Sequence, residues 1–276
     1  MLQPSVSKTA VTRAPSICFG RVSPELDDAG LVAMVAEADQ RGHSRMGMDL
    51  QYRDVAKLID HALLQPTLTD AELEAGCALA LEYDVASVCI VPHALRRCAE
   101  LLAGSQVQPS TTIGFPHGAH TTRSKLVEAE QALLDGGTEL DMVVNVGKVL
   151  SLEYGYVRAE IAAVLQLTHG AGRKLKVIFE NCYLERAHKL ALCEICADLE
   201  VDWVKTSTGF AASGATREDL ELMLDNTPPH VQVKASGGIR DLARVLELRE
   251  LGVSRIGSSS TRAILDELKA RLAQPS

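Results

Sequence analysis

Three lysines, Lys176, Lys205 and Lys234, each sit inside a short apolar run: KVIF, DWVKTS and VQVKAS. A lysine in such a run points into a protein interior, which is a poor place for an unpaired charge. One reading is a buried ion pair or a lysine whose charged tip snorkels to water. The other is chemical. An ordinary lysine has a pKa of about 10.4 and is almost wholly protonated at neutral pH. Burial and neighbouring cations lower that value and free the amine as a nucleophile. A neutral amine attacks an aldehyde carbonyl to form an imine. The iminium then stabilises the enamine left by carbon–carbon cleavage, so this chemistry needs no metal and no other cofactor.

Carboxylates accompany the lysines. Asp141 lies in ELDMVVN, where an acid within an apolar strand orients a lysine, shuttles protons, or forms a salt bridge with Lys176 or Lys205. Asp60, in LIDHALL, is a similar case. Residues two apart in a strand share a face, so Lys176 and Glu180 are expected to lie on one side and could pair. His117 and His120 form H-G-A-H, a spacing that could serve a metal, but no third ligand stands beside them, so no metal site is assigned.

Two glycine-rich stretches follow. Ser236-Gly237-Gly238-Ile239-Arg240 comes just after VQVKA, and Gly257-Ser258-Ser259-Ser260 ends the run SRIG. Glycine lets the backbone approach a ligand closely, and backbone N–H groups before a helix cradle phosphate. Ordinary turn chemistry is the alternative for either stretch alone. Together they point to an anionic substrate.

These residues need a scaffold. Short β-branched or apolar runs are expected as strands at Lys57–Ile59, Ala86–Val91, Thr111–Phe115, Leu140–Val144, Leu175–Phe179, Trp203–Lys205, Val231–Ala235 and Ser254–Gly257. Amphipathic stretches lie between them, at Thr69–Tyr83, Thr121–Asp135, Leu152–Thr168, Glu185–Leu199, Thr216–Asp225, Asp241–Leu251 and Thr261–Leu272. Alternating strands and helices imply parallel strands. The fold class is α/β, and eight such units match a (β/α)8 TIM barrel. An open doubly wound sheet is the competing architecture, but no strand is followed by G-x-G-x-x-G or a Walker loop. In a barrel, function sits at the C-terminal ends of strands. That places Asp60 after the first strand and Cys89 within the second. Gly114, Phe115 and Pro116 follow the third, and Asp141 and Asn145 lie on the fourth. Lys176 and Glu180 lie on the fifth. Lys205, Thr206 and Ser207 end the sixth, and Lys234 and Ser236 the seventh.

The 276-residue chain is 46% hydrophobic and 23% charged, enough to bury a large core. Its net charge of −8 argues against broad binding to nucleic acid or an anionic membrane. No apolar run reaches the ~18 residues of a transmembrane helix. Seven scattered cysteines and no secretory signal suggest reduced thiols in a cytoplasmic protein. Cys193 and Cys196 form a C-x-x-C within an apolar helical pattern, so core packing is expected rather than redox work. Residues 1–50 are unlike the rest. The first 23 carry Lys8, Arg13 and Arg21 and no acid, and Met46 and Met48 are alternative starts. They are read as a dispensable extension with a short helix near Leu31–Ala38, before a barrel domain over 51–276.

Across residues 54–268 the sequence resembles the deoxyribose-phosphate aldolase family. The resemblance rests on LIDHALLQPT, ASVCIVP, TTIGFPHGAHTTRSK, ELDMVVNVG, LKVIFENCYL, DWVKTSTGFAASGAT, VKASGGIRD and RIGSSS, in that order. It implies reversible cleavage of 2-deoxy-D-ribose 5-phosphate to D-glyceraldehyde 3-phosphate and acetaldehyde. By the family pattern Lys205 forms the Schiff base, Lys234 lowers its pKa, and Asp141 works with Lys234 in moving protons through a water. Lys176 and Asp60 line the substrate region, with Cys89 and Thr206 beside it. Gly209, Gly237, Gly238, Gly257 and Ser259 form the phosphate cradle. Phe210 stands where some relatives carry lysine, and Arg240 is the candidate to compensate. Ser258 replaces a common alanine, and RLAQPS lacks the terminal tyrosine of some members. A transaldolase-like enzyme and a non-catalytic sugar-phosphate-binding barrel are the competing readings. A homodimer or higher homo-oligomer is compatible with the sequence.

Overall fold

The computed structural model describes residues 50–274. The helix expected near Leu31–Ala38 lies outside them. Eight parallel strands close in sequence order, each paired with the next and the eighth with the first. They are β1 (Ile59–Leu63), β2 (Ser87–Ile90), β3 (Gln108–Ile113), β4 (Glu139–Val143), β5 (Lys174–Ile178), β6 (Trp203–Lys205), β7 (Gln232–Ser236) and β8 (Arg255–Ser258). The helices are α1 (Tyr52–Ala56), α2 (Asp70–Glu82), α3 (Leu95–Leu102), α4 (Thr122–Leu134), α5 (Val146–Leu150), α6 (Tyr154–Gly170), α7 (Arg186–Asp198), α8 (Arg217–Asp225), α9 (Leu242–Leu251) and α10 (Thr261–Leu272). This is the (β/α)8 barrel.

Local chemistry sets the helix starts. Thr69 caps α2 in a capping box with Glu72, and Thr121, Thr216 and Asp241 cap α4, α8 and α9 through their side-chain oxygens. Sequence reasoning missed α3. Its N-cap is Ala94, which makes no side-chain cap bond, so the usual start signal is missing.

The first strand differs from expectation. Residues 52–56 form α1, burying Val55 and Ala56, and Lys57 caps its C-terminus while pairing with Asp84 at 2.6 Å. The strand therefore begins at Ile59, and Asp60 lies inside β1 rather than after it. Two other placements change. Asn145 is not on β4 but caps α5, its Oδ1 accepting from Lys148 N at 3.1 Å. Glu180 lies beyond β5, with left-handed backbone.

The barrel has two interiors. Outside the strands, Val88, Leu140, Val177, Val204, Val233 and Ile256 pack against the helices in a continuous apolar layer. Cys193 and Cys196 belong to that layer and are fully buried, and burial pushes the Cys193 thiol up to about 12. Inside the strands the contents are charged.

Candidate active site

Period-two alternation turns Asp60, Asp141, Lys176, Lys205, Lys234 and Arg255 toward the barrel axis, where they meet in one network. Lys205 Nζ donates to Asp141 Oδ2 at 2.8 Å, and Lys234 Nζ donates to the same oxygen at 2.7 Å. Lys176 Nζ takes the other oxygen, Oδ1, at 2.8 Å and Glu139 Oε2 at 2.6 Å. Lys234 also reaches Asp60 Oδ2 at 2.5 Å. Arg255 closes the base of the network, binding Asp60 Oδ1 at 2.7 Å and both oxygens of Glu139. Its guanidinium lies 4.8 Å from the Trp203 ring centre.

Counting charges separates the three lysines. Lys176, Lys205, Lys234 and Arg255 face only Asp60, Glu139 and Asp141, so the network holds one cation too many if all are protonated. Burial and the Lys234 charge push the Lys205 pKa down, against the pull of Asp141. Burial also opposes the Lys234 charge, but Asp141 and Asp60 outweigh it and hold Lys234 above the ordinary lysine value. Lys176 is raised in the same way by Asp141, Glu139 and Asp60. Burial disfavours the Asp141 and Asp60 charges, yet the surrounding cations keep both carboxyls below the usual range. The lysine that gives up its proton most readily is Lys205.

The glycine-rich loops gather at the C-terminal ends of β6, β7 and β8. Gly237 has φ +92°, and a Cβ there would meet Gly214 Cα at 2.7 Å and Gly209 Cα at 3.6 Å. Three glycine backbones thus converge, and the loops after β6 and β7 pack directly on each other. Ser258 Oγ donates to Ile239 O at 2.7 Å and accepts from Ser260 N, tying the β8 loop to the β7 loop. The N-terminus of α10 follows, and its N-cap Ser260 makes no side-chain cap bond. Gly238, Arg240, Gly209 and Ser259 are exposed on this rim.

Over residues 33–267 the chain matches the family described as DeoC/LacD family aldolase. The chain belongs to this family. It is 59% identical to the deoxyribose-phosphate aldolase of Rhodopirellula baltica over 82% of this chain and 94% of that one. The Brevibacillus brevis deoxyribose-phosphate aldolase is 46% identical over 77% and 96%. Among solved structures, the tetrameric deoxyribose phosphate aldolase from Aeropyrum pernix superposes with a TM-score of 0.75 at 30% identity, covering 84% of this chain and 97% of that one.

Within this DeoC/LacD aldolase, the predicted residues fall into three places. Lys205, Lys234, Asp141, Lys176 and Asp60 share the buried network, with Cys89 next to them on β2. Gly209, Gly237, Gly238, Arg240 and Ser259 lie on the rim. Thr206 and Gly257 lie deeper, directly after β6 and within β8. Thr206 is fully buried between β6 and β7, its hydroxyl accepting from Ser236 N at 3.1 Å and donating to Ser236 O. Gly257 lies within β8, where a Cβ would sit 2.6 Å from Ser236 Oγ and 3.5 Å from Lys234 Cε. Its bareness makes room for the Ser236 hydroxyl. The expected Lys176–Glu180 pair is replaced by Lys176 with Asp141 and Glu139, while Glu180 turns to Thr208. Phe210 meets Phe115 edge-on, with ring centres 5.2 Å apart. His117 and His120 are exposed, and among the described residues no group of three or more His, Cys, Asp or Glu side chains is arranged to hold a metal ion.

Glu139 and Arg255 were missed as site residues. The signal was present, because each lies two residues before a residue already singled out, Asp141 and Gly257, on the same strand face. Gly214 carried no comparable mark, since its partner Gly237 lies in a distant loop.

Proposed function

We propose that this chain reversibly cleaves 2-deoxy-D-ribose 5-phosphate to D-glyceraldehyde 3-phosphate and acetaldehyde through a Schiff base on Lys205, without a metal. The activity follows from family membership and from the curated relatives, which are deoxyribose-phosphate aldolases. The observation that carries the assignment to Lys205 is that it shares Asp141 Oδ2 with Lys234, while Lys234 alone also holds Asp60; burial and the Lys234 charge push the Lys205 pKa down. The neutral Lys205 amine attacks the C1 aldehyde of the open-chain sugar, and loss of water gives the iminium. Removal of the C3 hydroxyl proton lets the C2–C3 bond break. Its electron pair moves into the iminium, leaving an enamine on Lys205 and releasing glyceraldehyde 3-phosphate. Protonation of the enamine carbon and hydrolysis of the imine free acetaldehyde and restore the amine. Asp141 accepts from the reacting nitrogen, Lys234 donates to the same Asp141 oxygen, and the two serve as the proton store. Gly209, Gly237, Gly238, Ser259 and the start of α10 are assigned to the phosphate, with Arg240 beside them.

Borohydride added with acetaldehyde tests the reading. Reductive ethylation of Lys205 alone supports it. Trapping only by a ketose donor would point to a transaldolase-like enzyme. Tight phosphate-ester binding with no adduct would leave a binding barrel.

A further inference from the structure

Glu180 has no part in the lysine network, yet its carboxylate is buried, with the residue only 3% exposed. Its backbone sits at φ 58°, ψ 61°, a left-handed conformation uncommon for a side chain of this kind. The cation nearest in sequence, Lys176, is already held by Asp141 and Glu139. A buried carboxylate must be met by donors. Those it takes come from one residue, Thr208, three positions after Lys205. Thr208 N donates to both Glu180 oxygens at 3.2 and 3.4 Å, and the Thr208 hydroxyl donates to Oε2. The same hydroxyl accepts from Phe210 N at 3.0 Å. One residue on, Asn181 N donates to Thr206 O at 3.0 Å. The turn after β5 therefore holds the loop after β6 at Thr206, Thr208 and Phe210.

We propose that Glu180 is a positioning residue that sets the Thr206–Phe210 loop in the shape that receives the substrate phosphate. The proposal rests on reading this loop as part of the phosphate cradle. Gly209, at φ +86°, lies between the two residues that Glu180 controls, and its Cα backs onto Gly237. Releasing Thr208 frees the orientation of the Gly209 amide and the Phe210 ring. Lys205 is held separately, by β5 and β7 on either side and by Asp141. Loss of Glu180 therefore acts on phosphate-dependent binding before it acts on the nucleophile.

The test compares steady-state cleavage of 2-deoxyribose 5-phosphate and unphosphorylated 2-deoxyribose by wild type, Glu180→Gln, Thr208→Val and Thr208→Ser. Thermal unfolding of each checks that the fold is kept. Glu180→Gln and Thr208→Val are expected to raise KM for the phosphorylated sugar, and to cut the preference for it in kcat/KM by about tenfold or more. Thr208→Ser keeps the hydroxyl and restores most of that preference. Equal losses on both sugars, or a fall in kcat with KM unchanged, would overturn the proposal. If Glu180→Gln does not fold, the Thr208 pair decides. A wild type without preference for the phosphorylated sugar removes the phosphate reading itself, and the proposal with it. A wild-type preference that survives in the variants removes only the role of Glu180.

Discussion

Lys205 and Lys234, on adjacent strands in direct register, donate to one and the same oxygen, Asp141 Oδ2. Two ammonium groups cannot share an acceptor at that range without repulsion, and the low effective dielectric of a buried site makes the repulsion large. The pair relieves it by differing in pKa. Lys234 has a second anion, Asp60, and keeps its proton. Lys205 has none and yields its own.

Lys205→Ala should leave the barrel folded and lower cleavage by roughly 10^4-fold or more, as removal of a covalent nucleophile does. Borohydride trapping with acetaldehyde should then fail. Normal turnover by this variant would overturn the assignment.

Lys234→Met should lower kcat/KM by roughly 10²–10⁴-fold, the usual range for a lost acid–base group. It should also move the acid limb of the pH profile upward. Burial and Lys234 depress the Lys205 pKa and Asp141 raises it, so removing Lys234 leaves only burial against Asp141 and the pKa rises. A limb displaced to lower pH would contradict this account.

Asp141→Asn leaves three buried lysines without their common partner. Breaking a buried charge network of this kind costs about 3–5 kcal/mol. Urea unfolding should show the loss, and the loss should shrink as pH rises, because lysines deprived of their anion shed their protons. In the wild type the folded carboxyl pKa values of Asp60 and Asp141 lie below the unfolded ones. Their stabilisation is therefore full at neutral pH and is lost as pH falls below the ordinary value of about 3.9 toward the depressed one. A loss that grows with pH in the variant would contradict the network.

Gly237→Ala should raise KM for the phosphorylated sugar by about tenfold or more. Its φ of +92° strains any side chain, and the new Cβ would meet Gly214 Cα at 2.7 Å. Unchanged KM would show that the packed glycine loops do not shape the phosphate site.

Chelation by EDTA should leave cleavage unchanged in a rate assay. Inhibition reversed by zinc would instead bring His117 and His120 back as ligands.

Much of this was legible in the linear sequence. Period-two alternation put Lys176, Lys205, Lys234 and Asp141 on strands that must face an interior, and eight strand–helix units implied the closed barrel around them. Glycines after two lysine-bearing or adjoining strands marked the rim. These are local signals, carried by residues a few positions apart. The electrostatic ground for proposing Lys205 as the nucleophile came only from the tertiary structure. That depends on Lys234 meeting Asp60 across 174 positions of chain and on Arg255 meeting Glu139 across 116, contacts that exist only once the barrel closes. The same holds for Glu180. Its strand context suggested a pair with Lys176, but a left-handed turn at the end of β5 aims it at Thr208, 28 residues on. Charge balance in a buried site is a property of everything that surrounds it, and only the fold assembles that surrounding.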